Sequence, residues 1–118
     1  MNPRANVEAT KRFVSGRLNS PELEDFCLSL ILGVRRNQTE LDALLSKTAD
    51  NWSLARMAAT DRNVLRLGAY EILYTEIPDR AAINEAVELA KRYGGKQSPH
   101  FVNGVLDRFV HKERKLAL

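Results

Sequence analysis

Lys96, Gln97, His100 and Phe101 bring a cation, an amide, an imidazole and an aromatic ring into one short stretch, YGGKQSPHF. Such a set suits an unpaired nucleic-acid strand. The cation meets phosphate, the amide meets a base edge, and the ring stacks a base at roughly 1–3 kcal/mol per base. Ser98-Pro99 opens a helix here, and free N–H groups at a helix start favour a phosphate. An ordinary helical turn, with solvated ends and Phe101 tucked into the core, fits the same composition. A second polar group stands at Asp61, Arg62, Asn63 and Arg66, in a segment that is otherwise apolar. Its charges must reach solvent, a partner or the backbone of another element.

Other chemistries find little support. His100 and His111 are eleven residues apart, and no carboxylate joins either at ligand spacing, so no metal site is expected. Neither histidine has the setting of a nucleophilic triad, and Cys27 lies in the apolar run FCLSLIL. Gly94-Gly95-Lys96 is a helix stop followed by a lysine, not a phosphate-cradling loop. Glu85 and Glu88 share a face with Lys91 and Arg92, the spacing of solvated ion pairs. No cofactor is implied, and nothing demands an enzyme.

The chain has 118 residues, a length that suits one domain with a single core. Eighteen basic and fifteen acidic residues give a net charge of +3, a weak lean toward anionic partners. The basic tail HKERK, with Lys112, Arg114 and Lys115, contributes to it. With one cysteine, no internal disulfide forms. The longest apolar run falls far short of the roughly 20 residues that span a bilayer. These features lead us to expect a cytoplasmic protein with no membrane contact.

The elements that position the two polar groups read as helices throughout, with no alternating strand pattern and no repeat. Residues 5–18 carry a thin stripe of Val7, Phe13, Val14 and Leu18. After Ser20-Pro21, Leu23, Phe26, Cys27, Leu30, Ile31 and Val34 form a clean core-facing stripe. Thr39 is expected to cap a helix bearing Leu41, Leu44 and Leu45, and Trp52, Leu54 and Met57 form a linking turn or short helix. From Asp61 to Glu76 apolar residues surround most of the cylinder, marking a central helix that Pro78 ends. Gly68 and Ala69 would let a neighbour approach it closely. Residues 81–93 and 98–112 complete an all-α bundle of six or seven helices around one hub. The whole chain, 1–118, is expected to be one domain, with amino-terminal helices over 5–38 and a carboxy-terminal subdomain over 39–112.

The stretch DRNVLRLGAYEILYTEIPDRAAINEAVELAKRYGGKQSPHFVNGVLDRF closely resembles the NusB family of bacterial transcription antitermination factors. The likeness runs from about Thr39, including NWSLARM, to Phe109 and is looser before that. It implies an RNA-binding adaptor that pairs with NusE, a small-subunit ribosomal protein. Together they bind the boxA element of nascent RNA and assist the transcription elongation complex. On that resemblance Gln97 and Phe101 fall where the family contacts RNA, and Asp61 falls near the partner and RNA surface. Many relatives carry an acid where Gln97 stands, so base preference there is open. Lys96 and His100 are added from their position, and Arg62 and Arg66 from theirs beside Asp61.

The front of the chain departs from the family pattern. MNPRANVEATKRFVSGRL has Arg4, Lys11, Arg12 and Arg17 but no arginine-rich cluster, and it reads as the family's second helix. The expectation is therefore a missing first helix, weak RNA binding by this chain alone, and a homo-oligomer or exchanged helix covering the groove left beside the hub. An upstream start is the rival account. Two other functions stay open: an interaction module without strong RNA binding, and the helical appendage of an RNA cytosine methyltransferase.

Overall fold

A computed structural model describes residues 21–49 and 54–117, with side chains over 28–49 and 54–114. The chain divides into two compact units, Met1–Arg36 and Asn37–Leu118. In the first, α1 spans Pro21–Arg36, starting on the expected proline and ending on Arg35 and Arg36. These cations suit the negative end of a helix dipole. The stripe residues Leu23, Phe26 and Cys27 lie outside the described side chains, and Trp52 and the expected 5–18 helix lie outside the described residues. So does the departure at the front of the chain.

The second unit contains α2 (Gln38–Thr48), a 3-10 turn (Leu54–Arg56), α3 (Ala59–Tyr74), α4 (Asp79–Tyr93) and α5 (Ser98–Ala117). The described residues thus hold five helices and no strand, not six or seven helices. Part of the difference is that the linker around Leu54 closes only one 3-10 turn, with Met57 N–H donating to the Leu54 carbonyl at 3.3 Å. Leu54 and Met57 are both buried there, so the segment does plug the core.

The hub is α3, which packs against α2, α4 and α5. Its Val64, Leu65, Gly68, Ala69 and Ile72 are buried, facing Leu41 and Leu45 of α2, Ile83 and Ala86 of α4, and Val102, Leu106 and Phe109 of α5 among the core residues. Gly68 is where backbones come close. A Cβ there would lie 2.6 Å from Leu106 Cδ1 and 3.5 Å from the Ala86 Cβ. Since Leu106 is fully buried, it has little room to retreat.

α3 ends before Pro78. The Thr75 backbone turns extended, its hydroxyl donates to the Glu71 carbonyl at 2.6 Å, and Ile77 N–H donates back to that hydroxyl at 3.2 Å. Pro78 instead opens α4, accepting from Ala82 N–H at 3.0 Å. Exposed polar side chains at helix ends add ties as well. Tyr74 donates to Glu40 across α3 and α2, and its ring lies 5.4 Å from that of Tyr70.

One buried residue breaks the apolar pattern of the hub. Glu71 is 2% exposed, and burial together with a hydrogen bond to Glu85 pushes its pKa up to about 8. The shift favours a proton held within the Glu71–Glu85 pair at neutral pH. Its Oε2 is buried with no hydrogen-bond partner.

The basic tail is spent inside the molecule. Arg114 holds Asp79 through two hydrogen bonds, at 2.7 and 3.0 Å, and reaches the Ile72 carbonyl at 3.2 Å. This contact keeps the Asp79 carboxyl below its ordinary range. Lys112 donates to the Lys47 carbonyl at 2.6 Å, at the end of α2. Arg114 and Lys112 thus fasten α5 to its neighbours, and the Arg114 charge is met by the Asp79 carboxylate. Lys115 lies outside the described side chains.

Candidate nucleic-acid interface

The elbow between α4 and α5 is built by three short-range contacts. Gly94 N–H closes α4 on the Ala90 carbonyl at 2.9 Å, and Ser98 N–H donates to the Gly95 carbonyl at 3.1 Å. Gly95 N–H in turn donates to Ser98 Oγ at 2.9 Å. The serine therefore reaches backward into the turn, whereas a simple N-cap would reach forward into its own helix.

Gly94 is needed for space. Its φ is −96°, open to any residue, but an added Cβ would lie 2.6 Å from Ser98 Oγ and 2.8 Å from the Ala90 carbonyl oxygen. The helix-start N–H groups are also less available than the sequence suggests. Ser98 is bonded to Gly95, Phe101 N–H donates to the Gln97 carbonyl at 3.0 Å, and Pro99 has no N–H. What this turn offers a ligand is chiefly its side chains.

Those side chains point outward. Lys96, Gln97 and His100 are exposed, and Phe101 is half-buried, its ring neither free on the surface nor sealed in the core. No hydrogen bond or ion pair engages the side chains of Lys96, Gln97 or His100 among the described residues. Two neighbours escape the sequence reading. Tyr93 is 65% exposed, a second ring at the same elbow. Arg92 is exposed and unpaired among the described residues, while Lys91 takes the Glu88 carboxylate at 3.1 Å. Tyr93 was legible only as the last residue before a glycine stop, where helical period alone assigns no face.

The second polar group behaves differently. Arg66 clasps Asp42 of α2 with two hydrogen bonds, at 2.7 and 2.8 Å, and donates to Asn63 Oδ1 at 3.1 Å. Its side chain is 14% exposed. Arg62 donates to the Leu54 carbonyl at 3.1 Å, fastening the 3-10 turn to the hub. Asp61 is half-buried, with Oδ1 sequestered and unpartnered. Beside them lies an open cleft of about 580 Å3, lined by Gln38, Asp42, Ser46, Leu54, Ala55, Arg62 and Arg66. Arg66 therefore ties α3 to α2, while Asp61 and Arg62 stand half-buried at the start of α3.

No group of three or more His, Cys, Asp or Glu among the described residues is placed to hold a metal. No helix among them is long and apolar enough to cross a membrane.

The model of the NusB family matches residues 1–111. The transcription antitermination protein NusB of Saccharopolyspora erythraea is 48% identical over 102 residues, covering 82% of this chain and 69% of the relative. That of Desulfitobacterium hafniense is 48% identical over 91 residues, with 76% and 62% covered. That of Desulfotalea psychrophila is 51% identical over 83 residues, with 70% and 59% covered. In these alignments the chain spans roughly six- to seven-tenths of its curated relatives' length. A solved structure of T. maritima NusB superposes with a TM-score of 0.76 at 31% identity, over 99% of both chains. Another, described as the crystal structure of a plectonemic RNA supercoil, superposes with the same score at 23% identity over 96% and 97% of the chains, and bears on the fold alone. With the family pattern running along 111 of its residues and the same helical fold beneath it, this chain belongs to the NusB family.

Proposed function

We propose that this protein is a transcription antitermination adaptor. It binds single-stranded RNA of the boxA type through Lys96, Gln97, His100 and Phe101, and pairs with NusE through Asp61 and Arg62. Arg66 supports the partner surface by locking the start of α3 to α2. The adaptor acts in the cytoplasm, linking nascent RNA to the elongating polymerase, and performs no chemistry of its own.

One observation carries this reading: the elbow presents a cation, an amide, an imidazole and a partly open ring, and the three polar side chains have no partner among the described residues. The arginines at the start of α3 tie the bundle together, whereas these side chains are left for something outside. The relatives are named for transcription antitermination, which gives that outside partner its class.

Titration of a fluorescent boxA-type RNA across a salt series, with and without NusE, tests the reading. Phe101→Ala is expected to weaken binding by about 1–3 kcal/mol. Lys96→Ala should weaken it with little sequence dependence and lower the salt slope by about one. NusE should tighten binding, and Asp61→Ala or Arg62→Ala should remove that gain. Binding that ignores salt and survives loss of Phe101 would refute the proposal.

A further inference from the structure

Gly104 stands within α5, one turn beyond the elbow, and nothing among the described residues explains it. A Cβ built there meets no atom within 4 Å, and the position is exposed. Gly68 and Gly94 have packing reasons for lacking a side chain, but among the described residues this one has none. Glycine weakens a helix interior relative to alanine, so its use on an open face points to something that approaches from outside.

The surroundings of this gap specify what approaches. By helical spacing His100 stands one turn before Gly104 and Arg108 one turn after, with Asn103 beside it. All three are exposed, and their side chains have no hydrogen bond or ion pair among the described residues. The nearest acid on this face, Asp107, already has Arg80 3.6 Å away. The gap thus sits in a ridge of a guanidinium, an imidazole and an amide. It suits an elongated anion that must pass close to the helix surface. Phe101 lies three residues earlier on the same helix, so the ridge continues from the elbow.

We infer that Gly104 is a notch through which the sugar–phosphate of an RNA strand leaving the elbow passes against α5, with Asn103 and Arg108 contacting phosphate on either side. This rests on the RNA-binding reading and extends it from a corner to a track along one helix.

The experiment uses the full chain and a short fluorescent single-stranded RNA carrying a boxA element. Gly104→Ala and Gly104→Gln should melt at or above the wild-type temperature yet bind more weakly, by roughly fivefold for alanine and more than tenfold for glutamine. Arg108→Ala should lower the salt slope by about one. If the Gly104 variants bind as the wild type while Phe101→Ala weakens binding, the notch is refuted and the elbow stands. Variants that melt lower and lose binding in proportion would show a purely structural glycine, which also overturns it. If Phe101→Ala also leaves binding unchanged, the elbow itself fails and the notch with it.

Discussion

The start of α3 and the elbow before α5 carry similar side chains to opposite ends. At the first, Arg62 and Arg66 are answered by the Leu54 carbonyl and by Asp42, so their charge holds helices together. At the second, Lys96, Gln97 and His100 are answered by nothing in the described residues. The lesson is that basic character alone does not mark a binding surface. The question is whether the fold has already supplied the counter-group.

The sharpest way to break this contrast is to remove a counter-group. Asp42→Ala leaves the mostly buried Arg66 guanidinium with Asn63 but without a counter-charge, and should cost about 2–3 kcal/mol of stability, read by thermal or urea unfolding. RNA affinity of the folded protein should be unchanged. A neutral effect on stability would mean that Arg66 is as free as Lys96, and the contrast would collapse.

Glu71 offers a second interior test, through pH. Its folded pKa of about 8 lies above the ordinary value of 4.5, so the native state holds a proton that the unfolded chain releases. Stability should therefore fall as pH rises from about 4.5 to 8 and level off above that. The Asp79–Arg114 pair acts in the reverse sense, and only at acid pH. Melting scans should show Tm dropping by roughly 5 °C or more between about pH 4.5 and 8. Glu71→Gln, which keeps a donor toward Glu85 without a titrating proton, should flatten that drop.

A smaller effect is expected at Gly68. Alanine there drives a methyl group against Leu106 and should cost about 1–2 kcal/mol in the same unfolding assay. Smallest of all, Lys96→Ala combined with His100→Ala should shift stability by no more than about 0.5 kcal/mol, since neither side chain has an internal partner. A larger loss would assign the elbow a folding role.

Much of this arrangement was legible in the residues. The hub was expected over Asp61–Glu76 and spans Ala59–Tyr74; the next two helices begin at or within two residues of their expected starts. Helical period and proline chemistry suffice for that. What escaped depends on residues far apart in the chain. Asp42 and Arg66 meet across 24 positions, and Arg114 reaches Asp79 across 35, pairings set by how helices pack. Burial of Glu71 was hidden because a charged residue on a helix ordinarily reads as its solvated face. At the elbow, residue types announced the chemistry, but the backward reach of Ser98 and the exposure of Tyr93 needed three dimensions.

The mutual bonding of Gly95 and Ser98 has a thermodynamic consequence. A turn fixed by its own serine, with no room for a side chain at Gly94, enters an encounter already shaped. An incoming strand then loses its own conformational freedom without also having to order the protein, and preorganisation of this kind favours affinity. Heat-capacity changes on association should accordingly reflect surface burial and ordering of the strand, with little contribution from refolding of the loop.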